Sequence, residues 1–230
     1  MKLAVLSDVH GNVPALRAVL AAIDGETVQI MFLGDVAGYY PFAEECAALL
    51  SRRAAMGVLG NHDQEFIDCL AAKRLPSPSY DKLYGGALAR SLSETSPQLV
   101  DWLRRAPRER RVEVDGIKVG MWHGAPWDPL NGRVYPDFNE WQRFESLPED
   151  VILLGHTHYQ MVRRLRNKLI VNPGSVGQAR DRRGDACYAL LDLTSGDVTQ
   201  RRVDYDPSAV IEDARRNESG RPNLVNALLR

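Results

Sequence analysis

Apolar residues gather in short runs along the chain. Leu3-Ala4-Val5-Leu6, Ile30-Met31-Phe32-Leu33, Met56-Gly57-Val58-Leu59 and Val151-Ile152-Leu153-Leu154 are continuous, not alternating. Such runs predict strands covered on both faces. Between the first two lies a stretch with a helical period, in which Val13, Leu16, Leu20 and Ile23 share one face. Asn12 is placed to cap it, Pro14 falls in its first turn and Asp24-Gly25 ends it. A second helix is expected over 42–53. The order strand, helix, strand, helix, strand implies parallel strands joined by right-handed crossovers.

Residues 63–106 read as helical. Pro76-Ser77-Pro78 breaks the first helix, a second covers about 80–90, and a third runs from Ser96-Pro97 to Pro107. This stretch, about 64–107, is expected to be a helical cap inserted into a single domain spanning 1–230. From Arg111 the pattern changes to short strands. Residues 112–114 and 117–121 flank Asp115-Gly116, a hairpin signal. A loop over 124–138 carries three prolines and leads to a short helix over 139–147. A hairpin turns at Asn167, a tight turn lies at Asn172-Pro173-Gly174-Ser175, and a last hairpin turns at Ser195-Gly196-Asp197. A C-terminal helical tail is expected over about 206–230.

Composition narrows the class. The 230 residues suit one larger domain or two small ones, and 44% hydrophobic with 26% charged residues is ordinary for a soluble globular protein. A net charge of −1 argues against bulk binding to nucleic acid or to an anionic membrane, so the arginine-rich piece 104–111 reads as a solvated face. Three scattered cysteines offer no CxxC pair, which disfavours a disulfide framework and a thiolate zinc site. Reduced thiols, and an N-terminal apolar run too short for a signal core, lead us to expect a cytoplasmic protein without a membrane span.

The chemistry lies where the apolar runs stop. Leu6-Ser7-Asp8, Leu33-Gly34-Asp35, Leu59-Gly60-Asn61, Met121-Trp122-His123 and Leu154-Gly155-His156 each place a metal-capable residue two positions past the last apolar one. In four of the five the spacer is Ser or Gly, which lets the backbone turn tightly. The carboxyl ends of strands in an open α/β sheet converge on one edge, where ligands bind. Asp8 and His10, and likewise His156 and His158, are two apart, and an extended backbone would point each pair to one side. All five histidines of the chain fall in these strand-end stretches, the fifth being His62. Imidazole mixed with carboxylate and an amide oxygen suits Mn²⁺, Fe²⁺, Zn²⁺, Co²⁺ or Ni²⁺, with manganese or iron favoured. So many ligands exceed one four-coordinate ion and suit two ions, about 3.5–4 Å apart, sharing a carboxylate.

Asp8-Val9-His10, Gly34-Asp35, Gly60-Asn61-His62-Asp63, His123-Gly124 and Gly155-His156-Thr157-His158 together resemble the calcineurin-like metallophosphoesterases, in the family's order. With Asn172-Pro173-Gly174-Ser175-Val176-Gly177 the resemblance reaches residue 177, and it looks most like the small bacterial and archaeal phosphodiesterases of that superfamily. It implies an α/β fold of four layers, α/β/β/α: a β-sandwich flanked by helices on both outer faces. It implies that Asp8, His10, Asp35 and His158 bind one metal and that Asp35, Asn61, His123 and His156 bind a second, with Asp35 bridging. His62 is then no ligand but the catalytic residue facing the leaving group. The implied reaction is attack of a metal-bridging hydroxide on a phosphodiester of a small or nucleotide-like substrate. The serine/threonine phosphatases of the family place an Asp three residues after the bridging Asp, where this chain has Gly38, which counts against a phosphoprotein phosphatase and leaves open what orients His62.

Other residues are weighed beside these. Tyr39 and Tyr40 follow a ligand loop and either stack on a base or aryl group or pack the loop. Trp127 and Asp128 follow His123-Gly124 and either line the pocket or do not. Arg180, Arg182 and Arg183 either meet a second phosphate or form a solvated face. Asn172 to Ser175 read as structural support, with backbone N–H groups able to face an anion. Asp63 has no assigned role. The alternative function is a phosphatase or pyrophosphohydrolase of nucleotides or dinucleoside polyphosphates. A non-catalytic scaffold of the same fold is disfavoured by the complete ligand set and His62. The oligomeric state is open.

Overall fold

A computed structural model of the protein describes all residues except 27, 182, 183, 219 and 230. Among the described residues, ten strands form two mixed five-stranded sheets. The first contains β1 (Lys2–Leu6), β2 (Val28–Phe32), β3 (Met56–Gly57), β9 (Ala186–Asp192) and β10 (Val198–Val203), in the order β10-β9-β1-β2-β3. The second contains β4 (Glu109–Val114), β5 (Ile117–Trp122), β6 (Val151–Leu154), β7 (Gln160–Leu165) and β8 (Lys168–Pro173), in the order β4-β5-β6-β8-β7. As expected, β1, β2 and β3 are parallel; β5, β6 and β8 are too. Asp115 and Gly116 both carry positive φ, as a two-residue hairpin turn demands.

The sheets pack face to face. Leu3 and Val5 of β1 and Met31 of β2 meet Val119 and Met121 of β5, Leu153 of β6 and Val171 of β8. The alternate residues, Ala4, Leu6, Ile30 and Phe32, point the other way, onto α1 (Val13–Ala22), α2 (Ala43–Arg52) and α3 (Asn61–Ala72). Both faces are covered, which is why the runs are continuous. On the outer face of the second sheet, Trp122, Ile152, Leu154 and Ile170 are covered by Ala125 and Val134 of the proline-bearing loop and by Phe144. Phe144 lies in a single 3₁₀ turn, Trp141–Phe144, all that forms of the helix expected over 139–147.

Between β3 and β4 lie α3, α4 (Pro78–Tyr84), α5 (Ala87–Ser93) and α6 (Pro97–Arg105). The single helix expected over 80–90 is two, because Gly85, at φ +88°, ends α4 in a conformation that favours glycine. Leu88, Leu99 and Leu103 join the same core as Val13 and Leu16. The tail forms α7 (Ser208–Asn217) and α8 (Pro222–Asn226), whose Val210, Ile211 and Leu224 pack around Tyr39 and Tyr40. Glu218 ties this tail to the inserted helices, accepting from the Gly86 N–H (2.9 Å) and Arg90 (2.5 Å). Cys46, Cys69 and Cys187 are free and buried. Among the described residues, no helix is long and apolar enough to cross a membrane.

Candidate metal centre

The metal-capable residues all follow the C-terminal ends of strands: Asp8 and His10 after β1, Asp35 after β2, Asn61 after β3, His123 after β5, and His156 and His158 after β6. The two sheets present these ends at one edge. Asp8, His10, Asp35, His156 and His158 adopt left-handed backbone, with φ of +56°, +51°, +61°, +64° and +64°. The paired residues therefore converge through two left-handed kinks, not through the extended backbone that their spacing predicts. Cross-loop hydrogen bonds impose the kinks: the Asp8 N–H donates to the Gly34 carbonyl (3.0 Å), and the His10 N–H to that of Asp35 (2.9 Å). Each such residue costs on the order of 1–3 kcal/mol and persists only where its surroundings over-determine it. Asp and His are among the side chains that tolerate the region best.

Gly60-Asn61-His62-Asp63 is a helix start, not an isolated turn. Gly60 is the N-cap, and Asn61 and His62 open α3. Asp63 is buried and accepts from the backbone N–H groups of Asp35 (2.7 Å), Ala37 (3.0 Å) and Gly60 (3.2 Å). It thus clamps the Asp35 loop to the helix start. A Cβ on Gly60 would lie 2.0 Å from Asp35 Oδ1, so only glycine fits against that carboxylate.

The side chains form two adjoining clusters. His158 Nε2 lies 3.1 Å from Asp8 Oδ1 and 3.1 Å from His10 Nε2. His123 Nε2 lies 3.2 Å from Asp35 Oδ2, 3.0 Å from Asn61 Oδ1 and 3.2 Å from His156 Nδ1. Asp35 Oδ2 also lies 3.9 Å from His10 Nε2, so it stands between the clusters. Each aspartate commits one oxygen to the next segment: Asp8 Oδ2 accepts from the His156 N–H (3.0 Å) and Asp35 Oδ1 from the His62 N–H (2.9 Å). The other oxygens, Asp8 Oδ1 and Asp35 Oδ2, are buried with no hydrogen-bond partner. Burying such acceptors unpaired is costly, and a cation at the convergence answers the cost.

The histidines are oriented from behind. His10 Nδ1 donates to the Ala37 carbonyl (3.0 Å), His123 Nδ1 to Leu33 (2.7 Å) and His158 Nδ1 to Gln178 (2.7 Å). A carbonyl only accepts, so each Nδ1 carries a proton, and a cation at the convergence would meet each Nε2 as a lone pair. Bare lone pairs 3.1 Å apart on His10 and His158 repel without a cation between them. Burial pushes His123 down, but the Asp35 carboxylate outweighs it and lifts the imidazole to about 9. Burial and then His123 push His156 down to about 3. Burial raises Asp8, yet His158 and His10 more than reverse this and hold it well below the usual carboxylate range. These donor sets suit divalent metal ions.

The family model described as the calcineurin-like phosphoesterase superfamily domain matches residues 1–196. The chain belongs to this superfamily. Protein MJ0912 of Methanocaldococcus jannaschii is 29% identical over 94% of this chain and 92% of its own. A metallophosphoesterase from Sphaerobacter thermophilus has a crystal structure similar at a TM-score of 0.80, with 28% identity, covering 99% of this chain and 98% of that one. Protein PH1004 of Pyrococcus horikoshii shares the fold at a TM-score of 0.79 and 20% identity, covering 100% and 98%.

In this calcineurin-like phosphoesterase, Tyr39, Trp127 and Arg180 each pack against a neighbouring side chain. Tyr39 is buried, its ring against His10 (4.6 Å), and its hydroxyl accepts from Arg180 (2.6 Å), so in this state it packs the loop. Arg180 is thereby tied to Tyr39; Arg182 and Arg183 lie outside the described residues. Trp127 stacks on Phe138 (5.8 Å) beneath the Arg143 guanidinium, in the aromatic cluster outside the second sheet. In the 172–177 turn, the N–H groups of Gly174, Val176 and Gly177 go to Asn172, Ser7 and Asp8, which ties the turn to the loop after β1. Two residues escaped the sequence reading altogether. The Tyr80 hydroxyl, from α4, is hydrogen-bonded to His62 Nδ1. The exposed Arg133 donates to His156 Nε2 (3.2 Å). Neither carries a local pattern; the one signal was the Tyr80-Tyr84 spacing on a predicted helix. Burial pushes the Tyr80 hydroxyl well above the ordinary tyrosine range, and pushes His62 down to about 3 against the pull of Asp35.

Proposed function

We propose that the protein hydrolyses phosphodiester bonds of a small or nucleotide-like substrate with two divalent ions. Asp8, His10, Asp35 and His158 would hold one; Asp35, Asn61, His123 and His156 would hold the other. The observation that carries this reading is the pair of unpartnered buried oxygens, Asp8 Oδ1 and Asp35 Oδ2, among converging imidazole lone pairs. Two dications bound there attract a phosphate anion, polarise its P–O bonds and lower the pKa of water towards neutrality. The chain's own residues supply position and a proton donor. The carbonyl-anchored imidazoles of His10, His123 and His158 are preset before substrate arrives. His62, anchored through its N–H to Asp35 Oδ1, would offer a ring N–H to the charge developing on the leaving oxygen, a contact of a kind whose loss typically costs about 10²–10³-fold.

A second reading is a nucleotide or dinucleoside polyphosphate substrate. The guanidinium of Arg133, exposed beside His156, favours it by offering charge to a further phosphate.

The test is to strip the protein of metal, reload it with Mn²⁺ and assay bis(p-nitrophenyl) phosphate beside p-nitrophenyl phosphate. We expect diester turnover, two ions per chain, and a His62→Ala variant that keeps both ions while losing most turnover. Two bound ions with no turnover of either compound would overturn the reading. Loss of an ion in His62→Ala would make His62 a ligand instead. Much faster monoester cleavage would select the second reading.

A further inference from the structure

Spacing alone does not decide what His62 does. A ring nitrogen of His62 lies within 4.8 Å of His10 and Asp35 donor atoms, close enough for all three to ligate one ion. The atom behind each imidazole is more informative. His10, His123 and His158 each meet a backbone carbonyl at Nδ1, which fixes a proton there and leaves Nε2 as the atom that can ligate. His62 is built differently: its Nδ1 meets the hydroxyl of Tyr80. A hydroxyl can donate, and a phenol is the stronger donor while imidazole nitrogen is the stronger acceptor. Donation from Tyr80 leaves Nδ1 bare and puts the proton on Nε2.

We infer that Tyr80 is a positioning residue that donates its hydroxyl proton to His62 Nδ1 and so holds His62 as an Nε2–H donor towards the reacting phosphate, not as a metal ligand. What that N–H acts on rests on the phosphodiesterase reading above. The surroundings restrict His62 to one pose. Tyr84 meets its ring edge-on at 4.6 Å, Tyr39 lies at 5.3 Å, and Tyr80 and Tyr84 pack on each other at 4.8 Å. Tyr80 and Tyr84 sit on α4, which ends at Gly85. That end lies against Leu224 of α8, and Glu218 accepts from the N–H of the next residue, Gly86. The inserted helices thereby reach the chemistry through the Tyr80 hydroxyl and the Tyr84 ring, and the tail packs against Tyr39 and Tyr84 behind them.

Tyr80→Phe removes that hydroxyl and keeps the ring. In Zn²⁺-loaded protein with ¹⁵N-labelled histidine, wild-type His62 should show a bare Nδ1 and a protonated Nε2, and Tyr80→Phe should lose this preference while keeping both ions. With diphenyl phosphate, whose leaving oxygen needs a hydrogen bond to stabilise its developing charge, the variant should lose about 10-fold or more in kcat, a fraction of what removing a whole oxyanion donor costs. With bis(p-nitrophenyl) phosphate, whose leaving group does not, kcat should change less than about 3-fold, and neither KM should move by more than about 2-fold. A wild-type proton on Nδ1, equal losses on both diesters, or no loss on either would overturn the inference. Failure of the phosphodiesterase reading shows separately, as wild-type protein that cleaves neither diester; the tautomer measurement then still decides for or against Tyr80.

Discussion

In the strand-end loops, main-chain atoms hold nearly every functional side chain. Three histidines donate to carbonyls, and Asp63 gathers three backbone N–H groups. In the roof made by α4, α5 and the tail, the ties run mostly between side chains: Tyr80 to His62, and Arg90 to Asp213 (2.9 Å) and Glu218 (2.5 Å). A main-chain tie survives substitution of the residue that supplies it; a side-chain tie does not. The edge is therefore fixed by the fold, while the roof is fixed residue by residue, and tuning of the reaction belongs to the roof.

The sharpest way to break this contrast is to attack the edge through a glycine. Gly60→Ala puts a methyl 2.0 Å from Asp35 Oδ1 and 2.4 Å from Asp35 N. We expect loss of at least one ion and turnover down by about 100-fold or more, with a folding cost of about 1–3 kcal/mol. Metal analysis and melting curves check it. An intact ion count would show that the edge yields more easily than its geometry implies.

The roof should respond to acid. Burial raises the Glu218 carboxyl, but Arg90, the Gly86 N–H and Arg221 outweigh this and hold it below the usual range. Its stabilisation is therefore fully present above the unfolded value, about 4.3, and is lost as pH falls through the lower folded value. Wild-type melting temperature should fall in that window more steeply than that of Glu218→Gln. Parallel curves would mean that the tail is not held by this charge.

The smallest effect sets the baseline. Arg104, exposed on α6, belongs to neither region, and Arg104→Gln should leave turnover unchanged and stability within about 0.5 kcal/mol. A larger change would give the arginine-rich stretch a role beyond a solvated face.

Much of the edge was legible because burial and ligand chemistry both write themselves locally. Continuous apolar runs marked strands covered on both faces, and a polar residue two positions past each marked its end. The left-handed backbone at Asp8, His10, Asp35, His156 and His158 was not legible, since it comes from hydrogen bonds between loops far apart in sequence. Asp63 was opaque for the same reason. Tyr80 lies 18 residues from His62 across a helix break, with nothing periodic to link them. The break at Gly85-Gly86 was legible, since paired glycines mark a turn, and reading one helix through 80–90 overlooked it.

The left-handed residues also bear on how the site can be dissected. Aspartate and histidine tolerate that backbone region better than alanine does. Replacing Asp8, Asp35 or His156 by alanine would remove a ligand and raise the strain of the loop in one stroke. Asparagine at the same positions keeps the backbone comfortable and changes the ligand alone. An alanine scan would overstate the debt of activity to metal contact, and the gap between the Ala and Asn variants would measure the strain directly.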